Sequence, residues 1–227
     1  MLKVNQGFQL SASDLVGHLN CRNLTELDLA VANGVLAKPK IWNPVLDVLR
    51  ERGFRHERDY IEHLRAKGLE IVTIGGIGLD AEAVAATVGA MRLGRQVIVQ
   101  GALLTGNWGG RIDVMLRVEL PSDLGAWSYE VVDTKLSRET KGGTVLQLSL
   151  YCELVGGAQG TIPQWSHVIA PWADYQPQSF RNADFAAYYR RVKASLQKAV
   201  QLNEPAAAVQ SLQAHQDRRC IMSPRMT

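Results

Sequence analysis

A carboxylate and an amine lie two residues apart in the motif Asp133-Thr134-Lys135, at the end of a β-branched segment that starts at Tyr129. Side chains at positions i and i+2 of a strand point to the same face, so this spacing places the carboxylate beside the ammonium. A carboxylate binds hard divalent cations, and an ammonium can orient water or offset charge on a phosphate. The motif therefore predicts a metal-dependent site for phosphate chemistry.

A second acidic-x-Lys motif, Glu139-Thr140-Lys141, competes with the first. Such a pattern arises about once by chance in a chain of this size, so the surrounding residues have to decide. No apolar strand leads into the second motif, and two glycines follow it directly. This context is typical of a solvated loop, and we therefore place the site at the first motif.

Another carboxylate, Asp113, interrupts an apolar segment that runs from Arg111 to Val118. A charge within a strand is costly unless it is paired or bound to a metal, so a cation shared with Asp133 on an adjacent strand would explain it. The alternative is a solvent-facing carboxylate that alternates with Ile112 and Val114, which strand geometry also allows.

His56 and Glu57 are further candidates, on a predicted helix that begins near Pro44. A neutral imidazole is a metal ligand, and the neighbouring carboxylate could add an oxygen. Adjacent helical residues are about 100° apart, so both side chains need not face the site. The alternative for either residue is a plain surface position, and we favour His56 as the ligand.

The elements that would position these residues follow from capping signals and hydrophobic periodicity. We predict that the first ninety or so residues are mainly helical, with a helix capped near Ser11 and a helix from about Pro44 that Gly53 could divide. A third helix is predicted over 81–93, capped by Asp80 and ended by Gly94. The later segments are predicted as strands at 96–100, 111–118, 129–134 and 165–169, with helices at 144–155 and 183–202.

Composition indicates one soluble domain. The chain has 227 residues, of which 46% are apolar, and its formal charge of +3 permits binding to nucleic acid without demanding it. We expect a single domain over residues 1–204, with a helical region over about 1–94, a sheet core over about 95–202, and a peripheral or partly disordered tail at 205–227. The sequence offers no membrane span or secretion signal, so a cytoplasmic location is expected.

Four ordered motifs resemble the RecB-like branch of the PD-(D/E)XK nuclease superfamily, particularly its small stand-alone bacterial members. The resemblance extends roughly from Phe8 to Val200, although the proline of the superfamily's name is absent before Asp113. The motifs are Gly53-Phe54-Arg55-His56-Glu57, Gly110-Arg111-Ile112-Asp113, Val132-Asp133-Thr134-Lys135 and Gln147-Leu148-Ser149-Leu150-Tyr151.

The resemblance implies an α/β fold with a restriction-endonuclease-like core, in which a mixed central sheet is flanked by helices. It also implies that Mg²⁺ or Mn²⁺ is held by His56, Asp113, Asp133 and the Thr134 carbonyl, and that Lys135 is catalytic together with the two aspartates. Gln147 and Tyr151 are implied to contact substrate. From spacing alone these two could equally be a structural pair, because positions i and i+4 share a helix face.

Some members of this branch hold an iron–sulfur cluster with one N-terminal and three C-terminal cysteines. Cys21 resembles the first of these ligands, but the whole chain has only three cysteines, and Cys220 is the one near the C-terminus. A four-thiolate cluster needs four cysteines, so no intact cluster of this kind is expected.

The expected function is therefore metal-dependent hydrolysis of DNA, by an exonuclease acting in DNA repair or processing. Its substrate would be single-stranded DNA or duplex ends, and a helicase or repair protein is a candidate partner. The alternative is a catalytically inactive nucleic-acid-binding or scaffolding module that keeps the nuclease fold. The complete set of polar motif residues favours activity, because a domain without catalysis has no evident need for them.

Overall fold

Helices and strands alternate along the chain in the computed structural model, which describes residues 1–5, 7–39 and 42–202. The helices are α1 (Ala12–Asn20), α2 (Arg22–Ala32), α3 (Pro44–Ala66), α4 (Ala81–Arg92), α5 (Gly142–Gln159) and α6 (Asn182–Leu202). The strands are β1 (Leu2–Val4), β2 (Gly7–Gln9), β3 (Ile71–Thr73), β4 (Val97–Thr105), β5 (Trp108–Val118), β6 (Ser128–Thr134), β7 (Trp165–Ile169) and β8 (Gln178–Arg181).

The central sheet has six strands in the order β3-β4-β5-β6-β7-β8. Strands β4, β5 and β6 form an antiparallel meander, whereas β3 runs parallel to β4 and β7 runs parallel to β6. Parallel neighbours require a crossover connection, which α4 and α5 supply in turn. The prediction of an α/β fold with a mixed sheet flanked by helices is confirmed.

The sheet separates two apolar clusters. One face packs against Tyr60 and Leu64 of α3, and this cluster also contains sheet residues from β4 to β7. The other face carries a larger cluster that includes Leu15 of α1, Met91 of α4 and Leu150 of α5. Helix α3 thus covers the first of these faces, and the motif carrying His56 lies on it.

Helix α3 runs through Gly53 without interruption, so the suggested division at this glycine is wrong. A Cβ at Gly53 would meet nothing within 4 Å, and no packing contact forces the helix to break there. One glycine in a helix interior costs only about 1 kcal/mol, which the packing of the second half of α3 offsets.

Two predicted caps are confirmed. The Ser11 hydroxyl donates to Asp14 at the start of α1, with an Oγ to Oδ2 distance of 2.7 Å. The Asp80 carboxylate accepts from the Ala83 amide at the start of α4, at 2.8 Å. Gly94 has a φ of +66° just after α4, as expected of a glycine that ends a helix.

The regular alternation of side chains in β4 and β5 is interrupted at one position of their ladder. Ile112 belongs to the larger cluster but Val114 belongs to the cluster under α3, although strict alternation would put them on the same side. The β4 residue opposite Asp113 is Gln100, and it has a left-handed φ of +56°. A bend at this pair therefore breaks the alternation that would have turned Asp113 towards solvent.

The N-terminal ninety residues contain more than the predicted helices. Strands β1 and β2 form a hairpin, and β3 joins the edge of the central sheet. Each is three residues long, which is too short to show the period of two from which a strand is recognised. The predicted tail at 205–227 lies outside the described residues. Within the described ranges, no helix is long and apolar enough to cross a membrane.

Candidate active site

Asp133 and Lys135 are in contact, as their spacing predicts. Asp133 is 1% exposed at the end of β6, and its Oδ2 lies 2.7 Å from Lys135 Nζ. The ammonium approaches as an ion pair outside hydrogen-bonding geometry, so this buried oxygen accepts no hydrogen bond from the described residues. The Lys135 side chain remains 30% exposed and can therefore meet a substrate as well as Asp133.

Asp113 lies beside Asp133, on the neighbouring strand β5. Its Oδ2 is 3.4 Å from the Thr134 amide nitrogen, which donates to it. Burial, followed by the charge of Asp133, raises the pKa of Asp113 to about 7. The bend between β4 and β5 thus turns this carboxylate towards its partner, and the solvent-facing alternative does not apply.

Gln147 and Tyr151 extend this network from one face of α5. Gln147 Nε2 donates to Asp133 Oδ1 at 3.2 Å and to the Tyr151 hydroxyl oxygen at 3.3 Å. Tyr151 rests on β5 where Gly110 has no side chain, since a Cβ there would lie 2.6 Å from the tyrosine ring. Burial raises the pKa of Tyr151 well above its ordinary value, so its hydroxyl stays protonated. Gln147 therefore contacts Asp133 directly, whereas Tyr151 is linked to it through Gln147 and also has a structural role.

His56 is buried on α3 and is joined to the end of β7. Its Nε2 lies 3.0 Å from the Ile169 carbonyl oxygen, which also accepts from the Lys135 amide at 3.0 Å. A carbonyl can only accept, so Nε2 carries the hydrogen, and Nδ1 is the ring nitrogen left to face a ligand. Metal-binding histidines are commonly oriented by such a bond from the other ring nitrogen to a backbone carbonyl.

Glu57 also belongs to this region, because it reaches the sheet from α3 as its neighbour His56 does. Its Oε1 accepts from Gln100 Nε2 at 2.6 Å, which anchors the half-buried side chain to β4. Burial raises the pKa of Glu57, and the nearby charge of Asp113 adds to the increase while Lys135 opposes it. Gln100 was not predicted to be a site residue. The available signal was a polar side chain at the end of the apolar run Val97–Val99, and a polar residue in an apolar run is also what identified Asp113.

The competing motif takes no part in this cluster. Glu139 and Lys141 are exposed in the loop before α5, in agreement with the expected solvated loop. Lys193 of α6, a residue of the type that could track a DNA backbone, is instead paired with Glu153 and lies 4.8 Å from the centre of the Trp108 ring.

No family model matches this chain, and no curated protein matches it either.

Of the three cysteines, Cys152 lies in the protein core. Cys152 is fully buried on α5, where its Sγ accepts from Asn182 at 3.2 Å and burial raises the pKa of the thiol to about 12. It is therefore a protonated core side chain at neutral pH. Cys21 lies between α1 and α2, and Cys220 is outside the described residues.

The cluster has an excess of negative charge. Asp113 and Asp133 face one ammonium, and Glu57 adds a third carboxylate at the edge. Within residues 1–5, 7–39 and 42–202, no group of three or more His, Cys, Asp or Glu side chains is arranged to hold a metal ion. The buried Asp133 Oδ2 that accepts no hydrogen bond, and the crowding that raises the pKa of Asp113, nevertheless fit a cation chemically.

Proposed function

We propose that the protein is a divalent-metal-dependent nuclease that hydrolyses DNA phosphodiester bonds. The observation that carries the proposal is the pair of adjacent carboxyls, Asp113 and Asp133, with Lys135 in contact with one of them. We also propose that the mixed sheet is a restriction-endonuclease-like core of the RecB-like type, because three of the four resembling motifs supply contacts at this pair, and His56 of the fourth shares the Ile169 carbonyl with the Lys135 amide.

A divalent cation is favoured by the chemistry of the donor set. Two carboxylates placed side by side repel each other, and oxygen ligands of this kind are those that Mg²⁺ and Mn²⁺ prefer. Asp113 and Asp133 would hold the ion together with His56 Nδ1 and the Thr134 carbonyl. When bound, the ion would supply charge to a phosphate oxygen and lower the pKa of an attacking water.

Lys135 has the position required of the group that acts on water or phosphate. Its ammonium is held by Asp133 yet remains partly exposed, so a further N–H can reach a phosphate oxygen. Hydrolysis adds water across one phosphorus–oxygen bond, and negative charge develops on the phosphate as the leaving oxygen departs. A fixed ammonium beside this charge stabilises the transition state more than the ground state.

Gln147 and Tyr151 are the polar groups that α5 contributes next to the aspartates. The Gln147 amide holds Asp133 Oδ1, and the Tyr151 hydroxyl adjoins the same amide, so these two polar groups border the space next to the aspartates. We propose that they contact the DNA backbone there. The expected setting is exonucleolytic DNA repair or processing in the cytoplasm, on single strands or duplex ends, with a helicase or repair protein as partner.

The direct test is incubation of purified protein with end-labelled linear and circular DNA, single- and double-stranded, in Mn²⁺, Mg²⁺ or EDTA. Metal-dependent loss of linear DNA alone would support an exonuclease, and nicking of circles would indicate an endonuclease. Cleavage of a matched RNA but not of DNA would refute the DNA assignment. Binding of DNA without cleavage under any metal would favour an inactive binding module.

A matched pair of lysine variants tests the site. Lys135→Ala should keep the fold and much of the Mn²⁺ affinity but lose about 10²-fold or more in rate, which is typical for one preorganised electrostatic group. Lys141→Ala, in the exposed loop, should leave the rate of the chemical step nearly unchanged. Asp113→Ala should lose both Mn²⁺ binding and cleavage. Loss of cleavage in Lys141→Ala but not in Lys135→Ala would show that the wrong motif was chosen.

A further inference from the structure

Gln100 has an unfavourable backbone conformation in the middle of a strand. Its φ of +56° is left-handed, a region that residues other than glycine rarely occupy and that costs free energy in the folded state. The ladder pairs on either side, Val99 with Val114 and Gly101 with Ile112, place it opposite Asp113. Strain of this kind persists only where the surrounding structure enforces it, and it clusters at functional sites.

The side chain of Gln100 crosses from β4 to α3. Its amide donates to Glu57 Oε1 at 2.6 Å. An amide fixes the orientation of a carboxylate without cancelling its charge, whereas an arginine or lysine at this position would neutralise it. A carboxylate has about four lone-pair positions, so one amide contact leaves room for further ligands.

We propose that Gln100 is a positioning residue, which uses its left-handed backbone and its amide to hold the Glu57 carboxylate beside Asp113 so that the site binds a divalent cation more tightly. This inference rests on the proposed metal-dependent function and adds a residue that acts through another. Glu57 contributes negative charge near Asp113 and Lys135, and Gln100 keeps that charge from turning towards solvent.

A glycine at position 100 separates the effect of the left-handed backbone from that of the side-chain amide. Gln100→Gly accepts the left-handed φ at no steric cost but lacks the amide, so its Tm in EDTA should equal that of the wild type or exceed it by roughly 2–4 °C. Its dissociation constant for Mn²⁺, measured without DNA from the electron paramagnetic resonance signal of free Mn²⁺, should rise about tenfold or more. A merely structural glutamine would give the opposite result, a lower Tm with unchanged Mn²⁺ affinity.

Glu57→Gln is the second variant. Its amide oxygen can still accept from Gln100, so the link between α3 and β4 survives while the charge is lost, and Mn²⁺ affinity should fall as in Gln100→Gly. The double variant should bind Mn²⁺ no more weakly than Glu57→Gln alone, because Gln100 acts through Glu57. The control is Gln96→Ala, which removes an exposed glutamine that accepts from the Glu70 amide at 2.7 Å, away from the site.

The outcomes separate this inference from the proposed function. If the wild type neither binds Mn²⁺ nor cleaves nucleic acid, the proposed function fails and this inference fails with it. If the wild type binds Mn²⁺ and Gln100→Gly binds it equally well, only the role of Gln100 is overturned. If Gln100→Gly does not fold, Glu57→Gln decides, and unchanged Mn²⁺ affinity in that variant overturns the proposal.

Discussion

Replacing Asp113 with asparagine should stabilise the metal-free protein, and the gain should grow with pH. Burial and then the charge of Asp133 raise the pKa of Asp113 from its ordinary value of 3.8 to about 7 in the folded chain. The folded state therefore holds this proton more tightly than the unfolded state. Folding is penalised as the pH rises above 3.8, and the penalty is complete once the pH exceeds about 7.

The size of the effect follows from the pKa shift. A shift of about three pKa units corresponds to about 4 kcal/mol as an upper limit, because each unit is worth 1.36 kcal/mol. Asp113 is half-buried, so water offsets part of the penalty, and we expect Asp113→Asn to gain about 2 kcal/mol at pH 8. In a chain of this size, that gain raises Tm by roughly 4–8 °C.

Thermal and urea unfolding followed by circular dichroism in EDTA, at pH 4.5, 6 and 8, would measure the difference. Asp59→Asn is the matched control, since Asp59 is an exposed carboxylate on α3 and its replacement should change the stability little at any of these three pH values. Saturating Mn²⁺ at pH 8 should reverse the order by stabilising only the wild type, by about 2.7 kcal/mol at 100 times the dissociation constant. A lower stability of Asp113→Asn at pH 8, or a difference independent of pH, would refute this account of the site.

Three further outcomes are expected. Gly53→Ala should stabilise the protein by about 0.5–1 kcal/mol in chemical denaturation without changing cleavage, because the added methyl group meets open space in a continuous helix. Gly110→Ala should lower the stability by about 1–3 kcal/mol in the same assay and reduce cleavage, because its Cβ would lie 2.6 Å from the Tyr151 ring and displace it. Cys152 should resist iodoacetamide at pH 8 in the folded protein and react after denaturation, since its pKa is raised to about 12 and only the thiolate reacts.

Much of the site could be predicted because its signals are local. The contact between Asp133 and Lys135 depends only on the alternation of a strand, and the contact between Gln147 and Tyr151 depends only on the turn of a helix. The long elements were likewise visible, since each is long enough to show its period. Pairing Asp113 with Asp133 needed one more assumption, that the strands bearing them are neighbours in the sheet, and the β5–β6 ladder bears this out.

The bend at Gln100 could not be predicted in this way. Sequence periodicity assumes that each strand alternates regularly, whereas Gln100 has a left-handed φ and bonds through its side chain to Glu57 of α3. For the same reason, the position of Glu57 could not be decided from the 100° separation of neighbouring helical residues. That position depends on which strand lies beneath the helix, which is a property of the assembled fold.

The Ile169 carbonyl has a consequence for how the protein tolerates genetic change. This one oxygen accepts from both His56 and the Lys135 amide, which uses both of its lone pairs. The acceptor is part of the backbone, so no codon change at position 169 deletes it, and other branched apolar residues there would keep the link. In a library of all single substitutions, position 169 should therefore accept conservative replacements, while position 56 bears the cost of losing this hydrogen bond between α3 and β7.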